Sequence, residues 1–196
     1  MAVARKSEPR FTPEEYLAQE EAATQRHEYF RGDIYALAGG SVNHNRIAGN
    51  LNARFNISLR KTPCEAFTSD MRLLVKAHNL YTYPDAMIVC GKLEFARSRN
   101  DTIVNPSVIV EVLSPSTQDY DRGQKFELYR AIPTLADYVL VHQDRIYVEY
   151  YHRQRDGRWL LTEIGDIASE LVLQGVEISI PLREIYDRVD WLAEDA

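Results

Sequence analysis

Val108-Ile109-Val110-Glu111-Val112-Leu113 reads as a continuous β-branched and aliphatic run, the pattern of a strand covered on both faces. A glutamate stands in the middle of it. Glutamate is almost never fully buried without a partner, and an isolated buried carboxylate is costly. Three compensations are open here: a buried Arg or Lys, a raised pKa, or a metal ion. Ser114-Pro115-Ser116-Thr117 then ends the strand, because proline lacks an amide donor and hydroxyl side chains favour turns and helix caps. A helix is expected next. Glu111 therefore lies near the carboxyl end of a strand and beside a turn, a common place for chemistry in α/β sheets.

Upstream, Thr12-Pro13-Glu14-Glu15 is a helix start, with Thr12 as N-cap, Pro13 at the first helical position and Glu15 completing a capping box. The helix is expected to run to about Thr24. His27 to Arg31 and Ile34 to Leu37, around Gly32-Asp33, predict a hairpin. Ser41 or Asn43 can cap a helix to about Lys61, whose Ile47, Leu51, Phe55 and Leu59 repeat every four residues on one face. Glu65 to Lys76 reads as one alternating strand. Pro84 opens another through Val89, and Gly91 to Asp101 is a polar loop.

Downstream, Asp119 to about Ala131 predicts a helix, and Ala136 to His142 a short buried strand. Arg145 to Tyr151 and Arg158 to Ile164 flank Asp156-Gly157, a hairpin signal. Val172 to Ile180 reads as one further strand. A final short helix spans Leu182 to Trp191, packing Ile185, Val189 and Trp191 inward. No repeat or linker interrupts the pattern. We expect residues 1–11 to be a disordered N-terminus and residues 12–196 to form a single α/β domain.

The formal net charge of -6 argues against a general nucleic-acid binder, whose domain is usually basic, although a local basic groove can sit on an acidic protein. Cys64 and Cys90 lack metal-ligand spacing. They can form a disulfide, but two reduced thiols in a cytoplasmic protein is the expectation. No stretch is long and apolar enough to span a bilayer, and Met1 to Arg10 has no apolar leader core. His27, His78, His142 and His152 show no metal-ligand spacing, so zinc is not expected.

The residues that carry chemistry cluster around the opening stretch. Asp85 and Glu111 lie on neighbouring strands, and two such carboxylates can hold Mg²⁺ or Mn²⁺, with the Val112 carbonyl as a third oxygen. Asp121, Lys125 and Tyr129 stand four apart, so they share one helical stripe. Tyr129 facing inward would turn Lys125 partly toward the sheet, where an ammonium can orient a water or stabilise an oxyanion. The bland alternatives are an exposed Asp121–Lys125 ion pair, a buried salt bridge from Glu111 to Arg72 or Lys125, and Asp85 as a turn acid. His44, Glu28 and Asp70 are second-rank candidates. His44, at a helix start, can reach a phosphate or a metal-bound water, or be a surface or capping histidine. Glu28 is a third acid or an exposed neighbour of Arg31. Asp70 can simply pair with Arg72.

Pro84-Asp85, Glu111-Val112-Leu113-Ser114-Pro115-Ser116-Thr117 and the Asp121, Lys125, Tyr129 spacing resemble the signature of the Uma-two type restriction endonuclease family, within the PD-(D/E)xK nuclease superfamily. The Glu28 to Gly32 segment, His44 and Ser69-Asp70 also resemble its pattern, so the likeness runs from about Thr12 to the C-terminus. It implies a restriction-endonuclease-like mixed sheet flanked by helices, with additional N-terminal and C-terminal β-hairpins. It implies Asp85 and Glu111 as metal ligands and Lys125 as the catalytic lysine. A Glu-x-Lys motif would put lysine at position 113, which is Leu113 here; the resemblance implies that the lysine has moved to the helix.

Together these readings predict a Mg²⁺- or Mn²⁺-dependent endonuclease acting on DNA in the cytoplasm, with Asp85, Glu111 and Lys125 catalytic and His44, Glu28, Asp70 and Tyr129 in support. Lys92, Arg97 and Arg99, or Arg46 and Arg54, are the expected phosphate contacts. The rival from another class is a non-catalytic interaction module on the same fold, homodimeric through Tyr147, Tyr150 and Tyr151. A small-molecule metal hydrolase is a third reading.

Overall fold

The computed structural model describes residues 10–97, 99–115 and 117–191. The disorder expected for residues 1–9 and the turn role expected for Ser116 lie outside them. Phe11 is tied in: its amide donates to the Gly32 carbonyl and its own carbonyl accepts from Tyr29 Oη.

Helix α1 (Pro13–Ala22) starts where the capping box puts it, with Thr12 Oγ1 accepting from the Glu15 amide and the Glu15 carboxylate from the Thr12 amide. The hairpin of β1 (His27–Phe30) and β2 (Asp33–Ala36) follows. Ser41 caps α2 (Val42–Ser58), accepting from the His44 amide. Then come β3 (Cys64–Thr68), β4 (Arg72–Val75), β5 (Leu80–Thr82), β6 (Ala86–Cys90), β7 (Thr102–Ile103) and β8 (Val108–Leu113). Three abutting helical segments cross over next: α3 (Gln118–Tyr120), a π-helical turn (Asp121–Lys125) and α4 (Phe126–Tyr129). The chain closes with β9 (Asp137–His142), β10 (Val148–Arg153), β11 (Trp159–Ile164), β12 (Glu170–Leu173), β13 (Ile178–Pro181) and α5 (Leu182–Ile185).

The main sheet has six strands in the order β11-β10-β9-β8-β6-β3. Only the β8–β9 pair within it is parallel, and a parallel pair needs the crossover that the helical segments provide. A second sheet, β2-β1-β5-β4-β7, carries the N-terminal hairpin, and β12–β13 is a separate C-terminal hairpin. Both faces of the main sheet are covered at its centre, over β8 and β9, while the edge strand β11 is largely exposed. On one face Ile47, Leu51 and Phe55 of α2 pack on Val108, Val110 and Val139. On the other, Leu128 and Tyr129 of α4 pack with Ile109, Leu113 and Tyr138. Coverage on both sides is why β8 is buried along its whole length.

Several expected elements change. The single strand over Glu65 to Lys76 is two, β3 and β4, in different sheets, with a turn at Thr68–Met71. Alternation continues across that turn and so hides the switch. Val172 to Ile180 is likewise a hairpin. Its Gly175 donates to Asp137 Oδ2 at 2.8 Å, where an added Cβ would lie 2.6 Å from the Ala136 Cβ. The last helix is only Leu182–Ile185, and Trp191 is partly exposed against Tyr186. Cys64 and Cys90 form a disulfide instead of standing as thiols, because the β3–β6 register sets them directly opposite. Sequence spacing carries no such register.

The disulfide closes a loop of 26 residues. Reducing it should cost about 3 kcal/mol of stability by loop entropy. Thermal melts with and without dithiothreitol, beside a Cys64→Ser/Cys90→Ser variant, check this; equal melting temperatures in all three would refute it.

Candidate active site

Alternation along β8 places Glu111. Val108, Val110 and Val112 face α2, so Ile109, Glu111 and Leu113 face the helical crossover. Glu111 is 3% exposed. Directly over it, Lys125 Nζ lies 3.1 Å from Glu111 Oε1, and Tyr129 Oη donates to the same oxygen at 2.8 Å.

Lys125 is shared. Its Nζ lies 3.2 Å from Glu28 Oε1 on β1 and 3.2 Å from Asp121 Oδ1 within the π-helical turn. Thr82 Oγ1 on β5 donates to Glu28 Oε1, and Tyr120 Oη reaches Glu28 Oε2 at 3.4 Å. The i→i+5 bonding of a π turn widens the helix. Here that turn puts both Asp121 and Lys125 on the buried side. Asp121 Oδ1 is out of line for a hydrogen bond from Lys125 and has no other hydrogen-bond partner among the described residues.

The charges do not cancel. Three carboxylates, Glu28, Glu111 and Asp121, surround one ammonium. Burial pushes the Glu111 carboxyl up from 4.5 to about 8; Lys125 pulls it back down, while Asp121 and Asp85 add to the rise. For Lys125, burial works against the charged form, but the surrounding acids, Glu111 foremost, hold its pKa well above 10.5.

Asp85, in the short link from β5 to β6, lines the same cleft as Glu111. Its Oδ2 accepts from the Val112 amide at 2.7 Å and lies 3.2 Å from His44 Nε2 on α2. Burial lowers the His44 pKa, but Asp85, by hydrogen bond and charge, outweighs it and the net direction is upward. Asp85, Glu111, Asp121, Lys125 and His44 all line one cleft of about 630 Å³. Among the described residues no three His, Cys, Asp or Glu side chains are gathered into a metal cage; an ammonium stands among the acids instead.

A profile of the Uma2 family, "Putative restriction endonuclease", matches residues 13–182. The chain belongs to the Uma2 family. Two relatives from Synechocystis sp. are uncharacterized proteins. One, slr1290, is 39% identical over 91% of this chain and 92% of its own length. The other, sll1609, is 41% identical over 85% of this chain and 94% of its own length. The crystal structure of "a putative nuclease belonging to DUF820" from Anabaena variabilis superposes with a TM-score of 0.70. It covers 90% of this chain and 97% of that one at 15% sequence identity. The fold is restriction-endonuclease-like, a mixed sheet flanked by helices.

In this Uma2 chain, Asp85, Glu111, Lys125, Tyr129, Glu28 and His44 come together at the cleft or just beneath it. The expectation of Glu28 as an exposed neighbour of Arg31 is overturned, since it is 4% exposed and paired with Lys125. The exposed Asp121–Lys125 pair is corrected too, since both residues are buried. Asp121 was legible only as a residue four before Lys125; its burial came from the π turn, which no sequence period announces. Asp70 falls outside the group: it is exposed and paired with Arg26, while Arg72 bonds Tyr83. None of Lys92, Arg97, Arg99, Arg46 and Arg54 lines the cleft. Arg99 is taken by Asp101 and Glu21, and Arg54 by Glu184. Tyr150 is buried on Asp137, so it is no interface residue.

The raised Glu111 pKa fixes a sign. Between about 4.5 and 8 the folded protein keeps a proton that the unfolded chain has released, so stability falls as pH rises through that window. Glu111→Gln should match the parent near pH 5 and melt higher at pH 9. Lys125→Ala leaves three acids uncompensated and should lose about 3–5 kcal/mol. Chemical denaturation at both pH values checks the pair; a Glu111→Gln deficit confined to pH 9 would mean that the anion is stabilised.

Proposed function

We propose that the protein is a Mg²⁺- or Mn²⁺-dependent endonuclease that hydrolyses DNA phosphodiester bonds. The observation that carries this reading is the convergence of Asp85 and Glu111 on one cleft, with Lys125 held against Glu111. The donors suit a hard divalent cation: two carboxylates and the Val112 carbonyl are all oxygen ligands, and Mg²⁺ completes its shell with water. Lys125 and Tyr129 both engage Glu111 Oε1, and the Val112 amide and His44 both engage Asp85 Oδ2. Among the described residues no hydrogen bond engages Glu111 Oε2 or Asp85 Oδ1, and these are the oxygens we assign to the cation.

When bound, a divalent cation supplies a lowered pKa for a coordinated water and neutralises charge developing on the phosphodiester. The chain's own part is positioning. Glu111 is buried and bonded, so its carboxylate does not wander. Lys125 directs an ammonium at the same place and can hold a water or an anionic oxygen by a charge-assisted hydrogen bond. A cation also offsets the surplus negative charge that otherwise repels a phosphate from this acidic cleft. Arg26 also lines the cleft and can reach a DNA strand lying there once it leaves Asp70, with which it pairs in the free protein. Function as a homodimer and action in the cytoplasm belong to the same proposal. In a reducing cytoplasm Cys64 and Cys90 would be held as thiols.

Incubated with supercoiled plasmid and Mg²⁺ or Mn²⁺, the protein should nick the DNA, and EDTA should stop it. Glu111→Gln and Asp85→Asn should fall to background while remaining folded; Glu111→Gln still leaves Lys125 paired with Glu28 and Asp121. Plasmid left intact across both metals, or nicked equally by Glu111→Gln, would sink the nuclease reading and leave an interaction module on this fold.

A further inference from the structure

We propose that His44 is a positioning residue for Asp85, and that Gly40 is glycine to make room for it. The inference rests on the reading of Asp85 as a metal ligand and goes beyond it. Asp85 Oδ2 is gripped from two elements at once, by the Val112 amide of β8 at 2.7 Å and by His44 Nε2 of α2 at 3.2 Å. A backbone hydrogen bond and an ion-pair contact from two directions restrict the rotation of the carboxylate at the cleft it lines. An outer partner that orients a ligand in this way is a recurrent device of metal sites.

The imidazole is itself held from behind. The His44 amide is bonded to the Ser41 N-cap at 3.1 Å, which sets the backbone from which the ring projects. A Cβ built on Gly40 would lie 2.5 Å from His44 Nδ1 and 2.8 Å from its Cγ, closer than atoms pack. Gly40 is not among the positive-φ residues, so its backbone suits any side chain and the demand is for space. Nδ1 backs onto Gly40 and Nε2 faces Asp85, which leaves neither ring nitrogen as a free phosphate contact. The Gly39-Gly40-Ser41 stretch thus has a second use besides ending a hairpin: Ser41 anchors the helix and Gly40 seats the histidine.

The test is Mn²⁺ affinity of the full chain by titration calorimetry, with melting temperature as the control of fold. His44→Ala and Gly40→Ala should each weaken Mn²⁺ binding about 10–100-fold. His44→Gln, whose amide can still donate to Asp85, should recover most of the loss. The Gly40→Ala/His44→Ala double variant should be no worse than His44→Ala, because Gly40 acts only through the ring. If His44→Ala fails to fold, Gly40→Ala and His44→Gln carry the comparison. Parental affinity in Gly40→Ala and His44→Ala, with Glu111→Gln unable to bind, would overturn the role of His44 and leave the metal site standing. So would His44→Gln binding as weakly as His44→Ala, or additive losses in the double variant. No Mn²⁺ binding by the parent, or equal binding by Glu111→Gln, would remove the metal site and this proposal together.

Discussion

One ammonium among three carboxylates organises this molecule. Lys125 Nζ touches Glu28 from the N-terminal hairpin, Glu111 from the central strand and Asp121 from its own helical turn. These groups come from three separate parts of the chain. Removed from water, they hold together only while the lysine stays among them, since a buried acid without its partner costs far more than the pair gains. The cluster therefore couples the second sheet to the first and pins the crossover helix over the end of β8. It is also unbalanced, with three acidic side chains around one ammonium.

The apolar framework lets that imbalance persist. Valines on one side of β8 lock to α2, and Ile109 and Leu113 on the other lock to α4. Glu111 sits within this packing and cannot swing out to water. Asp85 is fixed differently, by a hydrogen bond accepted from the Val112 amide of β8 and an ion-pair contact with His44 on α2. Polar groups inside a dry setting attract strongly when paired and repel strongly when not. The same setting raises the Glu111 pKa and keeps Lys125 charged.

Much of this was legible along the chain. The unbroken aliphatic run of β8 announced a strand covered on both faces, and the glutamate inside it announced a compensating partner. The capping box at Thr12, the four-residue repeat of α2 and the Ser-Pro break after Leu113 all mark local physics that tertiary contacts did not override. The Asp121, Lys125, Tyr129 spacing put the right three residues on one stripe. What failed were decisions made between segments: whether alternation from Glu65 to Lys76 stayed in one sheet, and whether Asp70 met Arg72.

The sequence by itself determined where α1, α2 and β8 begin, which positions are apolar, and that one acid had to be buried with company. Those follow from local backbone sterics and from the period of hydrophobic burial, both of which act over a few residues. Only the tertiary structure decided the company. The π turn that buries Asp121, the arrival of Glu28 from β1, the grip of His44 on Asp85 and the pairing of Cys64 with Cys90 depend on strand register and helix placement. These are set by packing between parts of the chain that sequence order holds far apart.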